Sequence, residues 1–228
     1  MFASRLAPRQ SRSLWSTNPI PGGCVLYLPF WAMGLRSGVF KSADPYGHTA
    51  TKTGAALVNK GWYFDGVDDR IILPRSTAWE SAHITVMSSF MPVQPAESNS
   101  ELMANNEYGV GGFKVEFGKV AATLRFILHI NNTERGGKSN VITYGNRITW
   151  AGTYDGANIR SYIDGVETGS PPAFAGSQTA STKDLHIGSN PTPARDYKGD
   201  IYIMLIWNRA LSDAEIMYVH HRIKWGSF

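Results

Sequence analysis

Two Asp-Gly pairs, Asp155-Gly156 and Asp164-Gly165, bracket an alternating run in the stretch RITWAGTYDGANIRSYIDGV, Arg147 to Val166. Glycine takes positive φ without steric cost, and aspartate tolerates the left-handed region better than most residues. Asp-Gly between alternating apolar residues is therefore a strong signal for a tight hairpin turn. From Asn158 to Asp164 the side chains keep the period of a strand, with Ile159, Ser161 and Ile163 on one side and Arg160 and Tyr162 on the other. The stretch reads as strand, turn, strand, turn, strand.

The pattern recurs along the chain. In GWYFDGVDDRIILP, Gly61 to Pro74, Trp62 and Phe64 share a face, Asp65-Gly66 turns, and Arg70 to Leu73 starts another strand. Ile84 to Met91 alternates. Phe113, Val115 and Phe117 stand opposite Lys114 and Glu116, and Leu124, Phe126, Leu128 and Ile130 share a face. Leu185 to Gly188 and Ile201 to Trp207 read as strands, and Cys24 to Trp31 as a buried strand interrupted by Pro29. Many short strands between turn signals predict an all-β sandwich or barrel. One helix is expected, from about Asp213 to about Lys224. Ser212 and Glu215 form a capping box, and Ile216, Val219 and Ile223 follow on one face.

At 228 residues the chain fits one large β domain or two small ones, and a chain this long can bury roughly 70–75% of its unfolded surface without staples. Its only cysteine, Cys24, excludes an internal disulfide and lies in the apolar run CVLYLPFW, the setting of an inert core residue. No apolar run reaches the ~20 residues of a membrane helix. No export signal is read at the start, where Arg5, Arg9 and Arg12 stand without an acidic residue and contribute to a net charge of +4. Residues 1–23 are accordingly expected to be a basic arm, of a kind that binds an acidic partner surface or nucleic acid or serves as a transit peptide; docking on protein subunits of a larger assembly is the reading taken, with residues 24–228 the folded domain. The body lacks a basic run interleaved with aromatics, which argues against nucleic-acid recognition.

Three segments, in this order, resemble the laminin-G-like domains of the concanavalin A-like lectin and glucanase superfamily. They are YFDGVDDRIILP (Tyr63–Pro74), WAGTYDGANIRSYIDGV (Trp150–Val166) and LHIGSNPTPARDYKGDIYIMLIWNRALSDAEI (Leu185–Ile216). The resemblance implies a jelly-roll sandwich of two antiparallel sheets with one short C-terminal helix. It also implies binding of glycans or proteins, in some members through calcium, with hydrolysis in a minority. Similar modules occur in surface and tail proteins of viruses that infect microbes.

A glucanase of that superfamily carries acids spaced E-x-D-x-x-E on one strand, and no such run exists here; Glu116 has no acidic partner two residues away. No other catalytic motif is read, so no catalytic residue is assigned and the chain is expected not to be an enzyme. For calcium, Asp65, Asp68 and Asp200 are the candidate ligands, with Asp69 beside them. The family's G-x-I-D-E-V is here Gly199-Asp200-Ile201-Tyr202-Ile203-Met204, without the paired acids. In that last strand Tyr202, Met204 and Ile206 alternate with Ile201, Ile203, Leu205 and Trp207, so it is apolar on both faces. Something must cover the outer one: the arm, the C-terminal helix or another subunit. Ile203 and Leu205, with the arm arginines, are the expected assembly contacts. Asn106, Tyr108, Arg195 and Tyr197, in two loops, are the candidate ligand-binding residues for a cell-surface glycan.

The leading functional reading is a non-catalytic structural or decoration module of a larger assembly, plausibly a virus particle, displaying a lectin-like surface. A free-standing carbohydrate-binding domain is the alternative and a glycan hydrolase the third reading. With no disulfide, assembly in a reducing cytoplasm and display on a virion or other extracellular particle is expected, with secretion as the alternative.

Overall fold

The computed structural model describes residues 20–31, 38–94, 99–106, 110–118, 122–137, 139–191 and 195–225. Arg5, Arg9, Arg12 and Tyr108 lie outside them. In chain order the strands are β1 (Cys24–Pro29), β2 (Val39–Lys41), β3 (Thr49–Thr53), β4 (Ala56–Val58), β5 (Gly61–Asp65), β6 (Arg70–Leu73), β7 (Ile84–Pro92), β8 (Glu101–Ala104) and β9 (Phe113–Gly118). They continue with β10 (Thr123–Ile130), β11 (Thr133–Gly136), β12 (Asn140–Val141), β13 (Ile148–Tyr154), β14 (Ile159–Ile163), β15 (Val166–Glu167), β16 (Leu185–Ile187) and β17 (Lys198–Trp207), and the chain closes on helix α1 (Asp213–Lys224).

These strands form two antiparallel sheets. The eight-stranded sheet runs β15-β14-β13-β7-β17-β5-β4, with β1 also paired to β17. The nine-stranded sheet runs β11-β10-β9-β8-β16-β6-β3-β2, with β12 added to β10. The Asp-Gly stretch supplies the β13–β14–β15 edge. Asp155 Oδ1 accepts the N–H groups of Ala157 and Asn158, closing the first turn on its own side chain. In the second, Ile163 pairs with Val166, and Asp164 and Gly165 hold φ of 49° and 83°. Two central residues at positive φ give the turn whose twist matches its flanking strands.

Between the sheets lies one apolar core, including Trp62, Phe64, Phe90, Phe113, Phe117, Phe126 and Trp150. A second cluster lies on the far side of the eight-stranded sheet, where Ile203, Leu205 and Trp207 meet Ile216, Val219 and Ile223 of α1. The capping box starts that helix as its residues dictate: Ser212 Oγ accepts the Glu215 N–H, and Glu215 accepts the Ser212 N–H. Arg209 pairs with Glu215 and anchors the corner.

Two expectations are corrected here. Ile203 and Leu205 are fully buried beneath α1, so they are not assembly contacts; the helix is the cover. Strict alternation along β17 also fails. A register shift between Ile201 and Ile203 in the β17–β7 ladder marks a bulge at Tyr202. It reverses the phase, so Ile201 joins Met204 and Ile206 in the inter-sheet core, while the Tyr202 ring faces outward under Arg147.

Cys24 is buried, its Sγ directed at the Leu26 carbonyl, and burial pushes its thiol far above the ordinary range. His48 reaches β1, with Nε2 3.0 Å from the Val25 carbonyl oxygen.

Candidate functional site

Alternation along β9 sends Phe113, Val115 and Phe117 into the core and therefore Lys114 and Glu116 to the outward face of the nine-stranded sheet. On β10 the same rule turns Arg125 and His129 outward. The β8–β9 ladder sets Glu101 directly across from Glu116. Arg195, from the segment preceding β17, reaches over both: its Nη1 lies 3.2 Å from Glu101 Oε1 and 3.7 Å from Glu116 Oε2.

The charges interlock. Lys114 Nζ is 3.0 Å from Glu116 Oε2 and 3.7 Å from Glu134 Oε2, and Arg125 Nη2 donates to Glu116 Oε1 at 2.9 Å. Asn190 Nδ2 donates to Glu101 Oε2 and, at 3.5 Å, to Asn106 Oδ1. Glu101 is fully buried, and Lys114 and Glu116 nearly so. Burial pushes the Glu101 carboxyl up to about 7. Lys114, Asn190 and Arg195 pull it down, and Glu116 adds to the rise. Burial also holds His129 below its ordinary value, against the pull of Glu134. Above this floor opens a cleft of about 390 Å³, lined by Asn99, Asn106, Lys114, Glu116, Arg125, Glu134, Asn190 and Arg195.

Of the ligand-binding candidates, Asn106 and Arg195 meet in this cleft, and Tyr108 lies outside the described residues. Tyr197 does not belong to it. Its ring is buried in the inter-sheet core against Phe64, Phe90 and Phe117, and its hydroxyl donates to the Asp200 carbonyl at 3.1 Å. The reason is sequence spacing: Tyr197 directly precedes β17 and already follows its inward phase. Lys114, Arg125, Glu134 and Asn190 were missed as site residues. Lys114 and Arg125 carried a signal, being charges opposite an apolar face. Glu101 carried none, because its partnership with Glu116 exists only across a ladder. Glu116 indeed has no acidic partner two residues away on its own strand; its acidic neighbour comes from β8 across the ladder.

The metal candidates separate. Ligand oxygens of Asp65, Asp68 and Asp69 lie within 4.8 Å of one another, and Asp200 is not among them. Asp200 instead accepts the Tyr202 hydroxyl at 3.1 Å. Asp65 Oδ1 accepts the Val67 N–H, which shapes the turn. Asp69 accepts the N–H groups of Asp65 and Ala55, and burial, reinforced by the two neighbouring carboxylates, raises its pKa. A calcium ion takes six to eight oxygens. Asp65 and Asp69 already accept backbone amides, so part of this acidic set serves the turn.

A family model described as the concanavalin A-like lectin/glucanases superfamily matches residues 65–217. No curated protein sequence matches the chain. Among solved structures, Trypanosoma rangeli sialidase aligns with a TM-score of 0.68 at 18% identity, covering 90% of this chain and 33% of that one. The same enzyme has been solved in complex with sialic acid. The binding domain of botulinum neurotoxin serotype G aligns with a TM-score of 0.69 at 13% identity, covering 87% of this chain and 50% of that one. At such identities the likeness is one of fold, and the chain spans about a third to a half of the length of these neighbours.

Proposed function

Given that the chain belongs to the concanavalin A-like lectin/glucanases superfamily, we propose that it is a non-catalytic module that binds a hydroxyl-rich glycan in the charged cleft of the nine-stranded sheet. The observation that carries this reading is the interlocked set Lys114, Glu116, Arg125, Glu134 and Arg195 around one cleft. Sugar hydroxyls both donate and accept. A lining of alternating carboxylates, cations and amides meets both halves of that chemistry and holds the ligand by charge-assisted bonds.

The pairing of Glu101 with Glu116 invites a hydrolytic reading, and the contacts favour binding instead. A glycosidase needs one carboxyl to protonate the leaving oxygen and another free to attack or activate water. Glu101 is wholly buried beneath Asn190 and Arg195. Both oxygens of Glu116 are held by cations. The pair acts as an electrostatic floor.

A glycan array followed by titration calorimetry tests this. Arg125 and Glu134 sit on the rim, partly exposed, so Arg125→Ala and Glu134→Gln are expected to fold and to weaken binding at least tenfold. Absence of glycan binding by folded protein refutes the proposal. Release of reducing ends that Glu101→Gln abolishes refutes its non-catalytic part.

The second reading is a decoration subunit of a virus particle, docking through the basic arm. With Ile203 and Leu205 claimed by α1, its support is Arg5, Arg9 and Arg12. A stable oligomer or particle association that is lost on replacing these arginines with alanine is the expected result. A monodisperse monomer that never associates overturns it.

A further inference from the structure

A second cleft lies on the opposite sheet, where the C-terminal end of α1 passes over the start of β13. Two adjoining cavities, of about 420 and 230 Å³, share Arg147, Ile223 and Lys224. The larger is completed by Trp31, Lys60 and Trp225. Its charged lining is all cationic, and among the described residues none of Lys60, Arg147 and Lys224 has a carboxylate within ion-pair distance. We propose that this cleft binds an acidic saccharide, its carboxylate or sulfate on the three cations and its ring against Trp225.

The cations are held there at a cost. Arg147 stacks over the Tyr202 ring at 4.1 Å and donates from Nε to Ser89 Oγ at 3.1 Å, so its head group is fixed in place. Desolvation lowers its pKa, and no neighbouring anion repays that loss. Lys60 stands at the tip of the β4–β5 hairpin with φ of 66°, a left-handed conformation that lysine adopts with strain. An anion entering between them relieves the first and gives the second a use. Trp225 offers an aromatic surface with 72% of its area exposed, the kind of flat apolar face on which a sugar ring rests.

The smaller cavity decides between ligand classes. It ends on Asp164, Thr149 and His220. His220 is 94% buried by residue, with 6% of its area exposed, and its Nδ1 has no hydrogen-bond partner. Asp164 uses Oδ1 to accept the Thr149 N–H, and the carboxylate's remaining acceptor capacity suits a hydroxyl donor. A phosphate chain running along the trough would meet this negative charge. A sugar with its acid group at the cationic end and hydroxyls at the Asp164–His220 end meets complementary groups throughout. This site shares no residue with the glycan cleft proposed above and stands independently of it.

The test uses the full chain and four probes: sialyllactose, a sulfated disaccharide, neutral lactose and ATP, followed by tryptophan fluorescence and calorimetry at low and moderate salt. Saturable binding of an acidic sugar, absent with lactose and weakened by salt, is expected. Lys224→Glu and Trp225→Ala change exposed groups, so the fold survives; each is expected to weaken that binding at least tenfold. Arg125→Ala, in the other cleft, is expected to leave it unchanged. Three results overturn the proposal: no binding of either acidic sugar, binding indifferent to Lys224→Glu and Trp225→Ala, or ATP bound in preference to both sugars.

Discussion

Glu101→Gln tests the electrostatics of the nine-stranded sheet most directly. Glu101 is completely buried, and its carboxyl is pushed from an ordinary glutamate value of 4.5 up to about 7. The folded protein therefore holds a proton there that the unfolded chain releases between about pH 4.5 and pH 7. Stability from this group is fully present below about pH 4.5 and is lost as pH rises through about 7. At about 1.4 kcal/mol per pH unit, the loss is on the order of 3 kcal/mol. Histidines oppose it: burial depresses His129, His186 and His220, so their contribution is present above about pH 6.5 and lost as pH falls through their folded values. The readout is therefore the difference between wild type and variant in urea unfolding, taken from pH 4.5 to 8. Glutamine keeps one acceptor for Arg195 or Asn190 and turns an amide toward the other, a pH-independent cost of about 1–3 kcal/mol. Wild type is expected to lose that advantage over Glu101→Gln steadily across the window. A difference that stays flat with pH refutes the buried, proton-holding Glu101 and the arrangement built on it.

Leu205→Ala should cost about 2–5 kcal/mol in urea unfolding, because it empties a fully buried site between β17 and α1; a cost under 0.5 kcal/mol would mean that α1 does not cover this face. Ser212→Ala should lose about 1 kcal/mol with the cap. Its partner Glu215 is held down to about 2, chiefly by Arg209, so the stability it supplies is present above its ordinary 4.5 and lost as pH falls through about 2. Gly165→Ala places a Cβ at φ of 83° and 2.8 Å from Met217 Sδ, and should lower stability by about 1–2 kcal/mol in the same assay. Millimolar calcium should leave Tm unchanged, because Asp65 and Asp69 already bond backbone amides; a clear rise would show an ion held by these acids.

What could be read before folding was whatever depends on near neighbours in the chain. Asp155-Gly156 and Asp164-Gly165 turn because of their own φ preferences. Phe113, Val115 and Phe117 face inward because side chains alternate, and Ser212 with Glu215 starts α1 through bonds spanning one turn. From those, an all-β sandwich or barrel with a closing helix followed, and the resemblance to the superfamily narrowed it to two sheets. Everything that depends on register waited for the fold. The bulge at Tyr202 reverses β17 and sends Ile201 to the core, and only the pairing with β7 places it. Tyr197 reads as loop and packs as core. Glu101 meets Glu116 because β8 and β9 lie side by side, and Arg195 joins them from a distant segment. Arg147 and Lys224 share a cleft because α1 folds back over β13. Charges far apart in sequence acquire chemistry together only when burial strips their water and sheet pairing sets their distance.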